Sequence, residues 1–212
     1  MEKIKIGEIK AHSIMLLFPD LELSYDRDSE QSLKGMIENL KCDPNIRDIV
    51  LSLTPSINRA FSLIEKRGAS KTKSKEAYVS RKGRGGMLVK LSEIASDVYS
   101  VCRVYAKSGK QIMLEHSTDD EIYLSTQEAA EYTFVYKSKL RRISEATNDF
   151  DEVDLSEGVA EIIPYFVKSE IIYSEDKEAS NASRILFDGI LSELCSLPAS
   201  MPPEVESIYY IE

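Results

Sequence analysis

Two hydrophobic periods divide the chain. In the first third, apolar residues recur at helical spacing. Ile4, Ile6, Ile9 and the run 14–18 lead to Pro19, which ends the first element. From Ser29 onward, Leu33, Met36, Ile37 and Leu40 follow the i, i+3, i+4, i+7 rule of an amphipathic helix. Asp43-Pro44 reads as an N-cap with proline at the first helical position, opening a stretch through Ile46, Ile49, Val50 and Leu53. Thr54-Pro55 restarts that stretch, and Ile57, Ala60, Phe61 and Ile64 carry it to Gly68, which stops it. Residues 1–67 are thus expected to form an N-terminal helical region.

Residues 68–86 (GASKTKSKEAYVSRKGRGG) are poor in apolar side chains and rich in glycine, serine and basic residues, the composition of an exposed flexible loop. Over 87–145 the period falls to two. The run 99–106 enters a turn at Ser108-Gly109, a second turn follows at 117–120, and 132–138 is rich in aromatic and β-branched residues. This predicts a small antiparallel β insert. Within 146–196, Val159, Ile162, Ile163, Phe166, Val167 and Ile171 mark one helix, begun or kinked at Pro164. Ala179, Ala182, Ile185, Leu186, Ile190 and Leu194 mark a second, over about 177–194, completing a C-terminal helical hairpin. Pro198, Pro202 and Pro203 make 197–212 an extended tail ending in Ile208, Tyr209, Tyr210 and Ile211. The expected class is α+β: a helical bundle with an inserted antiparallel unit and a tail, which either docks on a neighbouring chain or packs back on its own domain.

Charge sharpens this outline. The whole chain of 212 residues carries a formal charge of −9, which argues against general nucleic-acid coating. Between Glu65 and Lys110, however, twelve basic residues face four acidic ones, whereas from Asp149 to Glu212 fifteen acids face three bases. Such a dipolar chain suits head-to-tail association of identical subunits; the alternative is two solvated faces without partners. The basic candidates for contact with DNA or a neighbouring subunit are Lys66, Arg67, Lys71, Lys73, Lys75, Arg81, Lys82 and Arg84.

Candidate chemistry adds little. Cys42, Cys102 and Cys195 are odd in number and far apart, matching three half-buried thiols in a reducing compartment better than a disulfide framework or a zinc site. His12 and His116 lie in no metal-ligand spacing, and Gly83, Gly85 and Gly86 do not satisfy the phosphate-loop pattern. The acidic runs 119–121 and 151–154 lack the glycine and terminal glutamate of a calcium loop. No catalytic, metal or cofactor-binding residue emerges, so the expectation is a non-enzyme without a cofactor. No stretch reaches the roughly 18 apolar residues of a membrane span, and the charged start MEKIKIGEIK is unlike a signal peptide, so residence in a cytoplasm or in a particle assembled there is expected. The 11 tyrosines, against 6 phenylalanines and no tryptophan, suit interfaces.

The segment SINRAFSLIEKRG (56–68) resembles the asparagine–arginine helix openings of tailed-phage virion proteins. The β insert, and residues 154–176 (DLSEGVAEIIPYFVKSEIIYSED) followed by Ala179–Ala182 and Phe187, resemble the closing hairpin of phage head–tail connector (adaptor) proteins. The resemblance covers roughly residues 45–195, leaves 1–42 without a counterpart and is strongest over 162–176. It implies a subunit of a dodecameric ring beneath the portal protein, in the virion neck, bound also by a downstream neck or tail protein. Helices would form the ring wall, the basic loop would face packaged DNA or a neighbour, and Pro202, Pro203 and Ile208–Ile211 would dock on the portal. The competing reading is a nucleic-acid-binding regulator using the 66–84 arm, with salt-sensitive duplex binding. A metal-dependent hydrolase using the acidic runs is a third.

Overall fold

The computed structural model describes residues 4–26, 28–81 and 86–196; the tail candidates Pro202, Pro203, Ile208, Tyr209, Tyr210 and Ile211, with Lys82 and Arg84, lie outside them. Helices α1 (Ile6–Leu17), α2 (Glu30–Cys42) and α3 (Arg47–Lys66) open the chain. Then come β1 (Thr72–Val79), β2 (Met87–Lys90), the single turn α4 (Leu91–Ile94), β3 (Val98–Ala106), β4 (Gln111–Ile112), β5 (Leu114–Ser117), β6 (Glu121–Leu124) and β7 (Ala130–Ser138). Helices α5 (Glu157–Glu161), α6 (Ile163–Ile171) and α7 (Lys177–Ser196) close it. The fold is α+β with small antiparallel sheets.

The helices before and after the sheets share one core. Leu33, Ile37, Leu53, Ile57 and Ile64 meet Ile163, Phe166, Val167 and Phe187 there, and α6 packs against α1, α3 and α7. Helix α1 is buried on nearly every side, so its polar groups find internal partners: Lys10 Nζ lies 2.6 Å from Asp149 Oδ1, and Ser13 Oγ donates to the Ile9 carbonyl. The N-terminal amides of α1 are taken up by the linker before α5. Ile6 and Gly7 donate to the carbonyls of Asp151 and Asp149, while Val153 donates back to Ile4. Helices α1 and α2 are therefore integral to the core.

Helix α3 corrects the expected restart at Pro55. It runs unbroken for 20 residues with Pro55 inside, because the proline and Leu51, whose carbonyl loses its donor, both lie on the exposed side, away from the core. Asp43 is no N-cap for it; it ends α2, and its carboxylate accepts from Asn45 N–H. At the other end, Gly68 (φ 71°) and Ala69 donate to the carbonyls of Glu65 and Ile64, the Schellman arrangement that glycine makes possible.

The sheets form a second core. Strands pair antiparallel in the order β1-β7-β3-β4 and β2-β6-β5, and Val104, Phe134, Met87, Ile122 and Leu124 are buried between them. The expected turn at Ser108-Gly109 joins β3 to β4, with Gly109 at φ 79°. Two boundaries change. Residues 72–79 are a strand, paired with β7 from Thr72↔Lys137 to Val79↔Ala130, where a flexible loop over 68–86 was expected. As an edge strand it needs little apolar alternation. The β unit also ends at Ser138, short of 145, because Leu140 and Ile143 belong to the helical core. Pro164 falls in the first turn of α6, separating it from α5.

Candidate assembly surfaces

Among the described residues, the basic candidates do not form one arm. Lys66 and Arg67 are exposed at the C-terminal end of α3, where cations complement the helix dipole. Lys75 and Arg81 are exposed along and beyond β1, whose eight residues span about 25 Å. Between them, Lys71 and Lys73 turn toward acids. Lys73 Nζ lies 2.8 Å from Asp97 Oδ2 and 2.6 Å from Asp154 Oδ2, and Lys71 Nζ lies 2.9 Å from Asp154 Oδ1. Tyr136 donates its hydroxyl to the other Asp97 oxygen at 3.1 Å.

This cluster joins the sheet unit to the linker that precedes α5. Burial works against the Lys73 charge, but its hydrogen bonds to Asp154 and Asp97 outweigh that and hold the ammonium above the ordinary lysine range. The Lys73 hydrogen bond lowers Asp97. Burial raises Asp154, and hydrogen bonds from Lys73 and Lys71 reverse that to a net lowering. Burial, then the bond to Asp97, push the Tyr136 phenol up. The sequence hid this site because its members are spread from Lys71 to Asp154 in a chain whose charge blocks read as separate.

Other charges are also matched internally. Arg59 Nε lies 2.5 Å from Glu170 Oε2, and Arg184 Nε lies 3.0 Å from Asp188 Oδ2 while its guanidinium covers the Phe166 ring at 4.6 Å. Glu65, nearly buried, accepts from Leu140 N–H and from Arg142. What remains exposed of the expected dipole is a set of cations, Lys66, Arg67, Lys75 and Arg81, and an acidic α6–α7 hairpin. Helix α7 also corrects a sequence expectation: its core residues are Phe187 and Leu191, whereas Ile185 and Leu186 are 71% and 50% exposed.

Open clefts lie on the surface. One of about 470 Å³ is bordered by Lys90, Thr118, Asp120 and Lys139; another, about 310 Å³, places His12 near Glu8, Glu157 and Glu161. Among the described residues no three His, Cys, Asp or Glu side chains are arranged to hold a metal ion. The acidic run 151–154 instead supplies the Asp151 carbonyl to α1 and the Asp154 carboxylate to Lys71 and Lys73. The three cysteines are free and exposed, in place of the half-buried thiols expected. No helix among the described residues is long and apolar enough to cross a membrane. The chain matches no protein-family model and no curated protein sequence.

Proposed function

We propose that this chain is a structural subunit without catalytic activity: a head–tail connector that assembles as a dodecameric ring beneath the portal of a tailed bacteriophage, made in the host cytoplasm and resident in the virion neck. One observation carries the reading. A single chain exposes the cations Lys66, Arg67, Lys75 and Arg81 from the end of α3 along β1 and an acidic helical hairpin bearing uncovered apolar residues, complementary surfaces of the kind a head-to-tail ring requires. In this reading the helical core builds the wall and the sheets project from it. Lys66, Arg67, Lys75 and Arg81 face packaged DNA or a neighbour, and the tail containing Ile208–Ile211 reaches the portal. A downstream neck or tail protein binds the opposite end, and no cofactor takes part.

The test is negative-stain microscopy of the purified protein, alone and with the portal protein of the same phage. A closed ring, or a ring formed only on the portal, is expected; a strict monomer that also fails to bind portal overturns the reading. The exposed cations keep a nucleic-acid-binding regulator as second reading, weakened by the neutralisation of Lys71 and Lys73. Mobility shifts with duplex DNA at low salt separate the two, because a regulator using 66–84 binds strongly there without portal.

A further inference from the structure

Strand β1 leaves one edge of the four-stranded sheet open. Ser138 N–H donates to the Lys71 carbonyl, and pairing then runs from Thr72↔Lys137 to Val79↔Ala130. In an antiparallel ladder alternate residues turn their backbone groups to the partner, here Lys73, Lys75, Ala77 and Val79. The N–H and C=O groups of Thr72, Ser74, Glu76 and Tyr78 therefore point away from β7. Among the described residues none of them has a hydrogen-bond partner. Beyond Val79 the chain turns to β2, where Leu88 N–H donates to the Arg81 carbonyl. The open edge is a template for one more strand.

The chain carries a segment suited to that edge and starts it in the right place. Cys195, in the last turn of α7, sets its thiol 3.4 Å from the Arg67 carbonyl, and Arg67 is five residues before Thr72. Residues 197–212 thus begin beside the turn that leads into β1. Pro198, Pro202 and Pro203 suit a connector rather than a ladder, whereas 204–211 is free of proline and glycine. Five of its eight residues, Val205, Ile208, Tyr209, Tyr210 and Ile211, are β-branched or aromatic. The eight steps from Ser196 to Glu204 span up to about 28 Å, against at most about 18 Å from Arg67 to Thr72, so the segment reaches the edge with chain to spare. A second copy's β1 fits less well. The two antiparallel registers that pair it most fully set Lys75 against Lys75 or Glu76 against Glu76. Lys71 and Lys73 are already held by Asp97 and Asp154. That leaves Lys75 and Arg81 against Glu76, so charge adds only a small preference for a segment flanked by Glu204 and Glu212.

We propose that residues 204–211 add to the open edge of β1 in the same chain, as a fifth strand beside Thr72–Tyr78. The added strand runs parallel to β1, because both segments leave the meeting point of α3 and α7. Each outward N–H and C=O of Thr72, Ser74, Glu76 and Tyr78 then gains a backbone partner. The inference goes beyond the ring-subunit reading and does not depend on it. Where both hold, the portal has to draw the tail off β1, so a free subunit keeps its portal-docking end covered.

Amide hydrogen exchange of the full chain, read residue by residue by NMR, tests this with two variants. Tyr209→Pro breaks the added strand and leaves β1 as it is. Ser74→Pro removes an outward N–H and spares the bonds to β7. In wild type the amides of Glu76 and Tyr78 are expected to exchange slowly, and each variant to speed them by about tenfold or more. Lys75 and Ala77, which face β7, stay slow throughout and report that the sheet is intact. Fast exchange at Glu76 and Tyr78 in wild type overturns the proposal, as does slow exchange that Tyr209→Pro leaves unchanged. Protection that rises with protein concentration, in step with the mass found by sedimentation, also overturns it and gives the edge to the tail of a second copy. Ring formation with portal is measured apart from these amides, so the ring reading survives or fails by its own test.

Discussion

The carboxamide of Asn58 holds the backbone of Ile143 by both groups: Nδ2 donates to the Ile143 carbonyl at 2.8 Å, and Oδ1 accepts the Ile143 N–H at 2.9 Å. The whole sheet unit lies between these residues in sequence, so the clamp fixes the point where the chain returns to the helical core. Glu65, two turns on along α3, receives Leu140 N–H and Arg142 in the same way. Asn58→Ala would strand a half-buried donor and acceptor, at a cost of about 2 kcal/mol. Asn58→Asp would be no better, because it keeps the acceptor but sets a carboxylate against the Ile143 carbonyl. Urea unfolding measures both, and a loss below about 0.5 kcal/mol for either would remove the clamp from the account of stability.

Helix periodicity was the most legible feature of the sequence, since Leu33, Met36, Ile37 and Leu40 are all buried as their spacing requires. Turn chemistry at Gly68 and Gly109 was equally legible, because both positions need positive φ. Strand β1 was not, since Lys73, half-buried within it, is accommodated by Asp97 and Asp154, residues that only the fold brings near. The face of α7 was ambiguous for a related reason. Ser180 and Ser183 are buried while Ile185 and Leu186 are exposed, a reversal that hydrophobic spacing cannot anticipate.

The Lys73 cluster gives stability a definite pH dependence. Asp97 and Asp154 are lowered in the folded protein, so their contribution is complete above the ordinary carboxylate range near pH 4 and fades as pH falls through their folded values. Lys73 is raised, so its contribution is complete below the ordinary lysine value of about 10.4 and fades only at higher pH. Because the side chains are a third or more exposed, the cluster is worth about 1 kcal/mol. Asp154→Asn should lower stability at pH 7 by roughly that amount and flatten the acid limb of the stability curve. A variant with the full wild-type acid limb would show that the cluster does not couple the sheet unit to the helices.

Ser70 sits where α3 hands the chain to β1. Its carbonyl accepts from Lys137 Nζ, but its hydroxyl is buried and, among the described residues, has no hydrogen-bond partner. A buried hydroxyl without a partner costs more than it returns. Ser70→Ala keeps the backbone and removes the unmatched oxygen, so it should raise stability by about 1 kcal/mol, read as an upward shift in the unfolding midpoint. A destabilisation of similar size would mean that the hydroxyl has a partner, such as a bound water.

Gly7 reports how closely α1 is set against the rest of the core. A Cβ at this position would fall 2.5 Å from Leu33 Cδ2, 2.6 Å from Leu33 Cγ and 3.0 Å from the Asp149 carbonyl oxygen. Leu33 is fully buried, and Gly7 N–H already donates to that same carbonyl at 2.7 Å, so neither neighbour can move away cheaply. Gly7→Ala should therefore cost about 2 kcal/mol despite alanine's better helix propensity. A double-mutant cycle separates this contact from a general effect on α1. Leu33→Ala opens the space the new methyl needs, so Gly7→Ala should cost much less in that background, with a coupling of about 1 kcal/mol or more. Strict additivity in urea unfolding would place the strain elsewhere, at the backbone of residues 149–153 that receives the α1 amides.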